Sequence, residues 1–471
     1  MKIYIRLTAF FCAAALIMLS GAKTAWAKKN TQYWPDGPQI VSESGIVMDA
    51  DTGTILYEKN MNDRHYPASI TKILTALLAV ENSKMDEVVT FSHDAVYKTE
   101  GSGIARDVGE EMTMEWCLYG MMLASSNECA YAIGEHVGGN MDTFVQMMND
   151  RAAALGCQNT NFSNCNGLPD EQHYTSAYDM ALIAREAFHN EAFRVICGTK
   201  TYTIPFTNKH KDEETYLCNH HQMLYPYRTR KYLYEYCLGG KTGYTTAANS
   251  TLVTYAEKEG MTLICVTLDA PGSGHYEDTR ALFDFCFDNF KKVNVMENET
   301  SYSQQNQDRK GVLGEHEPFV AIDPSSSIIL PITAEFKDAD SKIVYNEEDE
   351  NVLGSILYTY ADRPVGGADI MASDVEVETF EFKDESGSEN AAGQEDGKGK
   401  DSREGTFQID LKMVFIALSG IAGIIAVILL IWKLADNFYN IKRKLRIGGR
   451  ERSPYKTIKK NKMWGNRRKW F

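Results

Sequence analysis

Gly239-Gly240-Lys241-Thr242-Gly243-Tyr244-Thr245-Thr246-Ala247 is the stretch from which the rest of the chain can be read. Lys241 supplies a fixed cation, Thr242 a hydroxyl, and Gly243 lets a second backbone approach a sheet edge closely. A Lys-Thr-Gly triplet should arise by chance on the order of 0.1 times in a chain this long. Two upstream signals complete it. Tyr66-Pro67-Ala68-Ser69-Ile70-Thr71-Lys72-Ile73-Leu74-Thr75-Ala76 opens a helix, and Ser125-Ser126-Asn127 falls between two helical stretches.

Pro67 punctuates the chain, and from Ile70 the apolar positions 70, 73, 74, 77 and 78 follow the helical repeat. Ser69 is thereby placed at a helix N-terminus, where backbone N–H groups favour developing negative charge. Lys72 lies one turn on, at i+3, so its amine reaches the Ser69 hydroxyl. Its neighbours Ile70, Ile73, Leu74 and Leu77 bury it. Burial depresses a lysine pKa, and a neutral amine is the base that a hydroxyl nucleophile needs. Read alone, the pair favours an N-cap serine with a snorkelling lysine. About one or two such spacings are expected by chance in a chain of this size. Ser125 in an inter-helix turn can relay a proton, and the Asn127 amide offers donor and acceptor together, though such a run also caps helices. The three signals in this order decide for nucleophilic catalysis.

Together they resemble the SxxK, SxN and KTG elements of the penicillin-recognising serine acyl-transferases. Over residues 39–290 the chain is similar to the D-alanyl-D-alanine carboxypeptidases, low-molecular-weight penicillin-binding proteins of the S11 peptidase type. Met48-Asp49-Ala50-Asp51-Thr52-Gly53, Asn166-Gly167-Leu168-Pro169-Asp170 and Tyr174-Thr175-Ser176-Ala177-Tyr178-Asp179-Met180 carry the likeness further. The resemblance implies a penicillin-binding/serine β-lactamase-like transpeptidase fold and catalysis on peptidoglycan stem peptides ending in D-Ala-D-Ala. β-Lactams act as covalent inhibitors, and no cofactor or metal takes part. It gives Ser69 the role of nucleophile, Lys72 that of base, Ser125 that of proton relay and Lys241 that of charge stabiliser. Asn127 would face the peptide backbone, Thr242 the terminal carboxylate, and the backbone N–H groups of Ser69 and Tyr244 the oxyanion, with Gly243 letting the substrate backbone approach the strand. Relatives usually place an Arg before the closing helix to grip that carboxylate; here His275 takes its place, and a neutral imidazole is a poorer anchor.

The elements read as α+β, an antiparallel sheet covered by helices. Residues 45–48 and 54–57 form a hairpin across Asp51-Thr52-Gly53. Helical patterns occupy 115–123, 128–137, 142–155, 176–188 and 277–290, and β-rich runs occupy 232–237, 250–256 and 261–268. Behind this domain (28–290), residues 291–382 lose the helical period and read as a small all-β domain, with strands at 319–322, 327–330 and 356–359.

Residues 1–27 form a leader, with Lys2 and Arg6 before an apolar core and Ala25-Trp26-Ala27 as a small-x-small cleavage site. Residues 383–410 are an acidic, Gly/Ser-rich tether. Within 411–435, residues 413–432 carry no charge except Lys433 just beyond, the length of one transmembrane helix, and a basic tail (436–471) follows. Basic flanks stay cytoplasmic, which places the catalytic domain outside the cell membrane, with lipid as a partner of the anchor. The net charge of −15 is concentrated outside that tail and argues against a nucleic-acid partner. Of 10 cysteines, Cys12 leaves with the leader. Export permits disulfides, Cys157 with Cys165 being one local pairing, and reduced buried thiols fit the same sequence. Rival readings are a transpeptidase or β-lactamase of the same fold, and a membrane-anchored sensor of β-lactams or wall fragments.

Overall fold

Ile46 and Met48 point to one face of a strand and Val47 to the other, and all three are buried, so that strand has protein on both sides. It belongs to the central sheet of the computed structural model, which describes residues 33–299, 320–345 and 352–372. β1 (Ser44–Asp49) and β2 (Ile55–Lys59) make the hairpin. Two short antiparallel pairs lie among the helices: β3 (Val88–Thr90) with β4 (Glu111–Thr113), and β5 (Thr201–Ile204) with β6 (Thr215–Cys218). β7 (Cys237–Thr245), β8 (Asn249–Lys258) and β9 (Met261–Ala270) complete the central sheet. Its order is β2-β1-β9-β8-β7, antiparallel throughout, which leaves β7 at an edge.

Helices α1 (Lys72–Asn82), α2 (His93–Tyr97), α3 (Met114–Leu123), α4 (Asn127–Gly138), α5 (Met141–Ala154), α6 (Ala177–His189) and α7 (Glu191–Gly198) follow the hairpin. Ile46, Met48, Val253, Tyr255, Ile264 and Val266 pack with the apolar faces of α1, α3, α4 and α6 into the larger core. On the opposite face Val47, Leu252, Leu263 and Cys265 meet Leu282, Phe283 and Cys286 of α8 (Gly274–Asn289). The sheet is therefore covered on both sides, and its strands read as near-continuous apolar runs.

One expectation needs correction. Residues 232–236 are not a strand; β7 begins at Cys237 and runs through the Lys-Thr-Gly triplet. The alternating tyrosines instead cap α8, Tyr232 stacking on Tyr276 at 4.7 Å and Tyr234 on Phe283 at 5.8 Å between ring centroids. Of the two states the cysteines left open, the structure holds the reduced one: Cys157 and Cys165 are unpaired, the nine cysteines from Cys117 to Cys286 are all free, and seven of them are buried.

After α8 the chain passes directly into a second antiparallel sheet. Its strands are β10 (Phe290–Asn294), β11 (Val320–Ile322), β12 (Ser327–Pro331), β13 (Asp340–Tyr345), β14 (Val352–Tyr360) and β15 (Arg363–Ala372). They run β10-β12-β15-β14-β13, with β11 pairing to β15, around a core of Val295, Ile328, Leu330, Ile356, Tyr358 and Val365. Arg363 pairs with Glu58 at 3.0 Å and Lys292 with Asp51, tying this sheet to the hairpin of the first. Among the described residues no helix is long and apolar enough to cross a membrane. The leader (1–27), the tether (383–410), the apolar segment (411–435) and the basic tail (436–471) lie outside the described residues.

Candidate active site

Ser69 sits in a single 3-10 turn, Ala68–Thr71, that leads straight into α1. The turn is bent by Ala68, whose φ of 53° is left-handed. Two close approaches hold it. A Cβ on Gly167 would lie 1.9 Å from the Ala68 carbonyl oxygen, so the Asn166-Gly167 loop can press there only as glycine. From the other side Thr251 of β8 donates its hydroxyl to the Pro67 carbonyl at 2.8 Å.

Lys72, fully buried, brings its Nζ to 3.0 Å from Ser69 Oγ, 2.7 Å from Asn127 Oδ1 and 2.6 Å from the Asn166 carbonyl. Burial lowers its pKa to about 7. A neutral amine has two N–H donors and one lone pair. The two fixed acceptors, Asn127 and Asn166, take the donors, and the lone pair faces the Ser69 hydroxyl. This arrangement can remove the serine proton.

Ser125 occupies the turn between α3 and α4 with a left-handed φ of 61°, a costly conformation for a serine. It aims Oγ at Lys241 Nζ, 3.0 Å away. Lys241 also donates to its neighbour's carbonyl, Thr242 O, at 2.9 Å, and burial holds its pKa well below the ordinary lysine value, with the nearby Lys72 charge as a second cause. Asn127, at the start of α4, gives its Nδ2 to the Glu100 carbonyl, so both ends of its amide are engaged. A Cβ on Gly243 would lie 2.3 Å from Thr251 Oγ1 and 2.9 Å from Ser69 N, so the strand edge passes directly by the serine. Thr242 is half-buried next to Lys241, and Tyr244 is 69 % exposed at the outer end of β7.

His275 lies elsewhere in this pattern. Near the start of α8, it is buried against Tyr276 at 4.0 Å, with Nδ1 unpartnered and its pKa pushed down to about 4 by burial. Among the described residues no hydrogen bond links it to Ser69, Lys241 or Thr242. Arg280 is committed to the Leu233 carbonyl at 2.7 Å. Sequence reasoning assigned no role to Asn166, although Asn-Gly before Leu-Pro signals a turn that could have been followed to the site. His173 was missed as well: it meets Thr71 Oγ1 at 2.9 Å, and its Nδ1 accepts from Ser163 N at 3.0 Å, fixing the loop that carries Asn166. Away from the site, Asp107, Glu110 and His210 bring ligand atoms within 4.8 Å of one another, but Glu110 is already paired to Arg106 at 2.9 Å.

The family model described as D-alanyl-D-alanine carboxypeptidase matches residues 29–272. The D-alanyl-D-alanine carboxypeptidase DacF of Bacillus subtilis is 34% identical over 283 residues, covering 59% of this chain and 69% of that protein. The D-alanyl-D-alanine carboxypeptidase DacB2 of Mycobacterium tuberculosis is 30% identical, covering 54% of this chain and 84% of its own. The crystal structure of the Streptomyces K15 DD-transpeptidase superposes with a TM-score of 0.50 at 28% identity, over 54% of this chain and 100% of that one.

Proposed function

This chain belongs to the D-alanyl-D-alanine carboxypeptidase family, and we infer from that membership and the Lys72 geometry how its site works. It is a serine-type D-Ala-D-Ala carboxypeptidase, a hydrolase that binds penicillin and acts on peptidoglycan stem peptides. Ser69 Oγ attacks the penultimate D-Ala carbonyl while Lys72 takes its proton. The backbone N–H groups of Ser69 and Tyr244 stabilise the oxyanion. As the C–N bond breaks, the proton taken by Lys72 is relayed through the Ser125 hydroxyl, which Lys241 holds, to the departing D-Ala amine, leaving Lys72 neutral. Water then attacks the Ser69 ester and gives its proton to Lys72, which returns it to the Ser69 oxygen as the C–O bond breaks and the shortened peptide departs. Thr242 faces the terminal carboxylate. Asn127 orients Lys72 in the free enzyme and must release the Glu100 carbonyl to bind the peptide backbone.

The observation that carries this reading is the division of the Lys72 amine between two fixed acceptors and the serine. Its test follows D-alanine release from a stem pentapeptide by the full chain and by Ser69→Ala. Release abolished by the substitution, together with loss of fluorescent-penicillin labelling, is the expected result. Penicillin labelling of Ser69 without D-alanine release would turn the reading towards a sensor. Product joined to an added amine acceptor would turn it towards the transpeptidase named among the similar structures.

The reading extends to place. A cleavable leader, one apolar span at 413–432 and a basic tail support an enzyme held at the outer face of the cell membrane, its tail inside. Protease accessibility of the catalytic domain in intact cells, with the tail protected, is the check.

A further inference from the structure

The segment that holds Asn127 is itself held by a knot of polar groups outside the active site. The Glu100 carbonyl accepts from the Asn127 amide, the Ser102 carbonyl accepts from Asn127 N at 2.8 Å, and Ile104 N donates to Glu128 at 2.5 Å. Two residues on, the buried Arg106 guanidinium donates to the Ile104 carbonyl at 2.8 Å, to Thr215 Oγ1 of β6 at 2.8 Å and to Glu110 Oε1 at 2.9 Å. The connection between β5 and β6 closes over this segment. Thr207 Oγ1 donates to Glu110 Oε1 at 2.8 Å, and Asn208 Nδ2 donates to the Gly109 carbonyl at 2.9 Å.

One nitrogen in this knot is left over. His210 Nε2 is shielded from solvent and makes no hydrogen bond. Glu110 Oε2 stands 3.6 Å from it and Asp107 Oδ2 3.7 Å, both too far for hydrogen bonds. They are, however, at the separation of two ligands on one ion. With bonds of about 2.1 Å to zinc, neighbouring ligand atoms stand about 3.4–3.6 Å apart. The three residues bring their ligand atoms within 4.8 Å of one another. Glu110 is fully buried, and the bonds from Arg106 and Thr207 engage Oε1 alone. Oε2 accepts only from Asp107 N, at 2.9 Å, and is thereby oriented towards the histidine. Arg106 balances the charge of Glu110, so Asp107 leaves the group with one net negative charge, which attracts a dication.

We propose that Asp107, Glu110 and His210 form a zinc site that staples the 104–110 segment to the β5–β6 connection. One imidazole nitrogen and two carboxylate oxygens suit zinc better than magnesium or calcium, which take oxygen ligands in larger number. Water completes the shell on the side where Asp107 is exposed. The ion is a clamp remote from the reacting atoms: it fixes the segment whose carbonyls hold Asn127, and it takes no part in the attack on the substrate. The site stands independently of the carboxypeptidase reading, since none of its ligands belongs to the catalytic group.

The test titrates zinc into the untagged full chain, first stripped of metal with a chelator, and follows binding by calorimetry and backbone hydrogen exchange by mass spectrometry. One zinc per chain with a Kd of about 1 µM or tighter is expected, with slower exchange in 104–111 and 205–212 once the ion is bound. His210→Gln and Asp107→Asn each weaken binding at least about tenfold and remove that protection. Both side chains reach the surface, so neither substitution opens the core, and unchanged circular dichroism of the two variants checks this. Glu110 is left intact because it also holds Arg106 and Thr207. Calcium and magnesium at millimolar concentration should not displace the zinc. Binding weaker than about 100 µM overturns the site and leaves a histidine beside two carboxylates. Zinc binding that survives both substitutions places the ion elsewhere and overturns it as well. Tight binding without any change in exchange overturns the clamp.

Discussion

At the scale of single residues, the site depends on one proton. Lys72 is the base only when its amine is neutral, and burial sets its pKa at about 7. Below that value the protonated form dominates, so the rate of Ser69 acylation by penicillin should rise about tenfold per pH unit and level off above it. A profile flat through this range would remove Lys72 from the role. Lys72→Arg tests the same point from another side: a guanidinium does not deprotonate, and acylation should fall by on the order of 10²–10⁴. The nucleophile and base were legible in the sequence, because a spacing of three residues on a helix fixes their relative position. Asn166 was not, since it contributes a backbone carbonyl from a loop 94 residues away, and a carbonyl carries no residue signature.

At the scale of elements, the hairpin, the helices and the paired strands β8 and β9 followed from apolar periodicity. The run at 232–236 did not, because tyrosines at alternate positions satisfy a strand pattern equally well when their rings stack on a helix. What joins elements distant in sequence is often one carboxylate. Asp278 of α8 accepts from Val41 N at 3.1 Å, Ser42 N at 2.7 Å and Ser42 Oγ at 2.5 Å, fastening the segment before β1 to the closing helix. Asp278→Ala strands these donors in a buried setting and should cost about 1–3 kcal/mol in denaturant unfolding. A loss below ~0.5 kcal/mol would mean that water replaces the carboxylate without penalty.

At the scale of the whole molecule, covalent bridges play no part among the described residues. Nine free thiols, most of them buried, include Cys165, Cys237 and Cys265, whose pKa values are each pushed up to about 12 by burial. A protonated, enclosed thiol neither oxidises nor alkylates readily. The melting temperature should therefore be the same with and without dithiothreitol, and iodoacetamide should modify most thiols only after unfolding. A clear drop in melting temperature on reduction would reveal a bridge. The sequence by itself determined the order of the catalytic elements, the helix that presents Ser69 and Lys72, and the antiparallel character of the sheet, since each is written in spacings shorter than about fifteen residues. Only the tertiary structure decided that Ser125 meets Lys241 across 116 residues, that Asn127 and Asn166 leave the Lys72 lone pair for the serine, and that His275 lies buried against Tyr276. Those relations depend on how separate elements pack, and packing is set by shape and volume that no local pattern records.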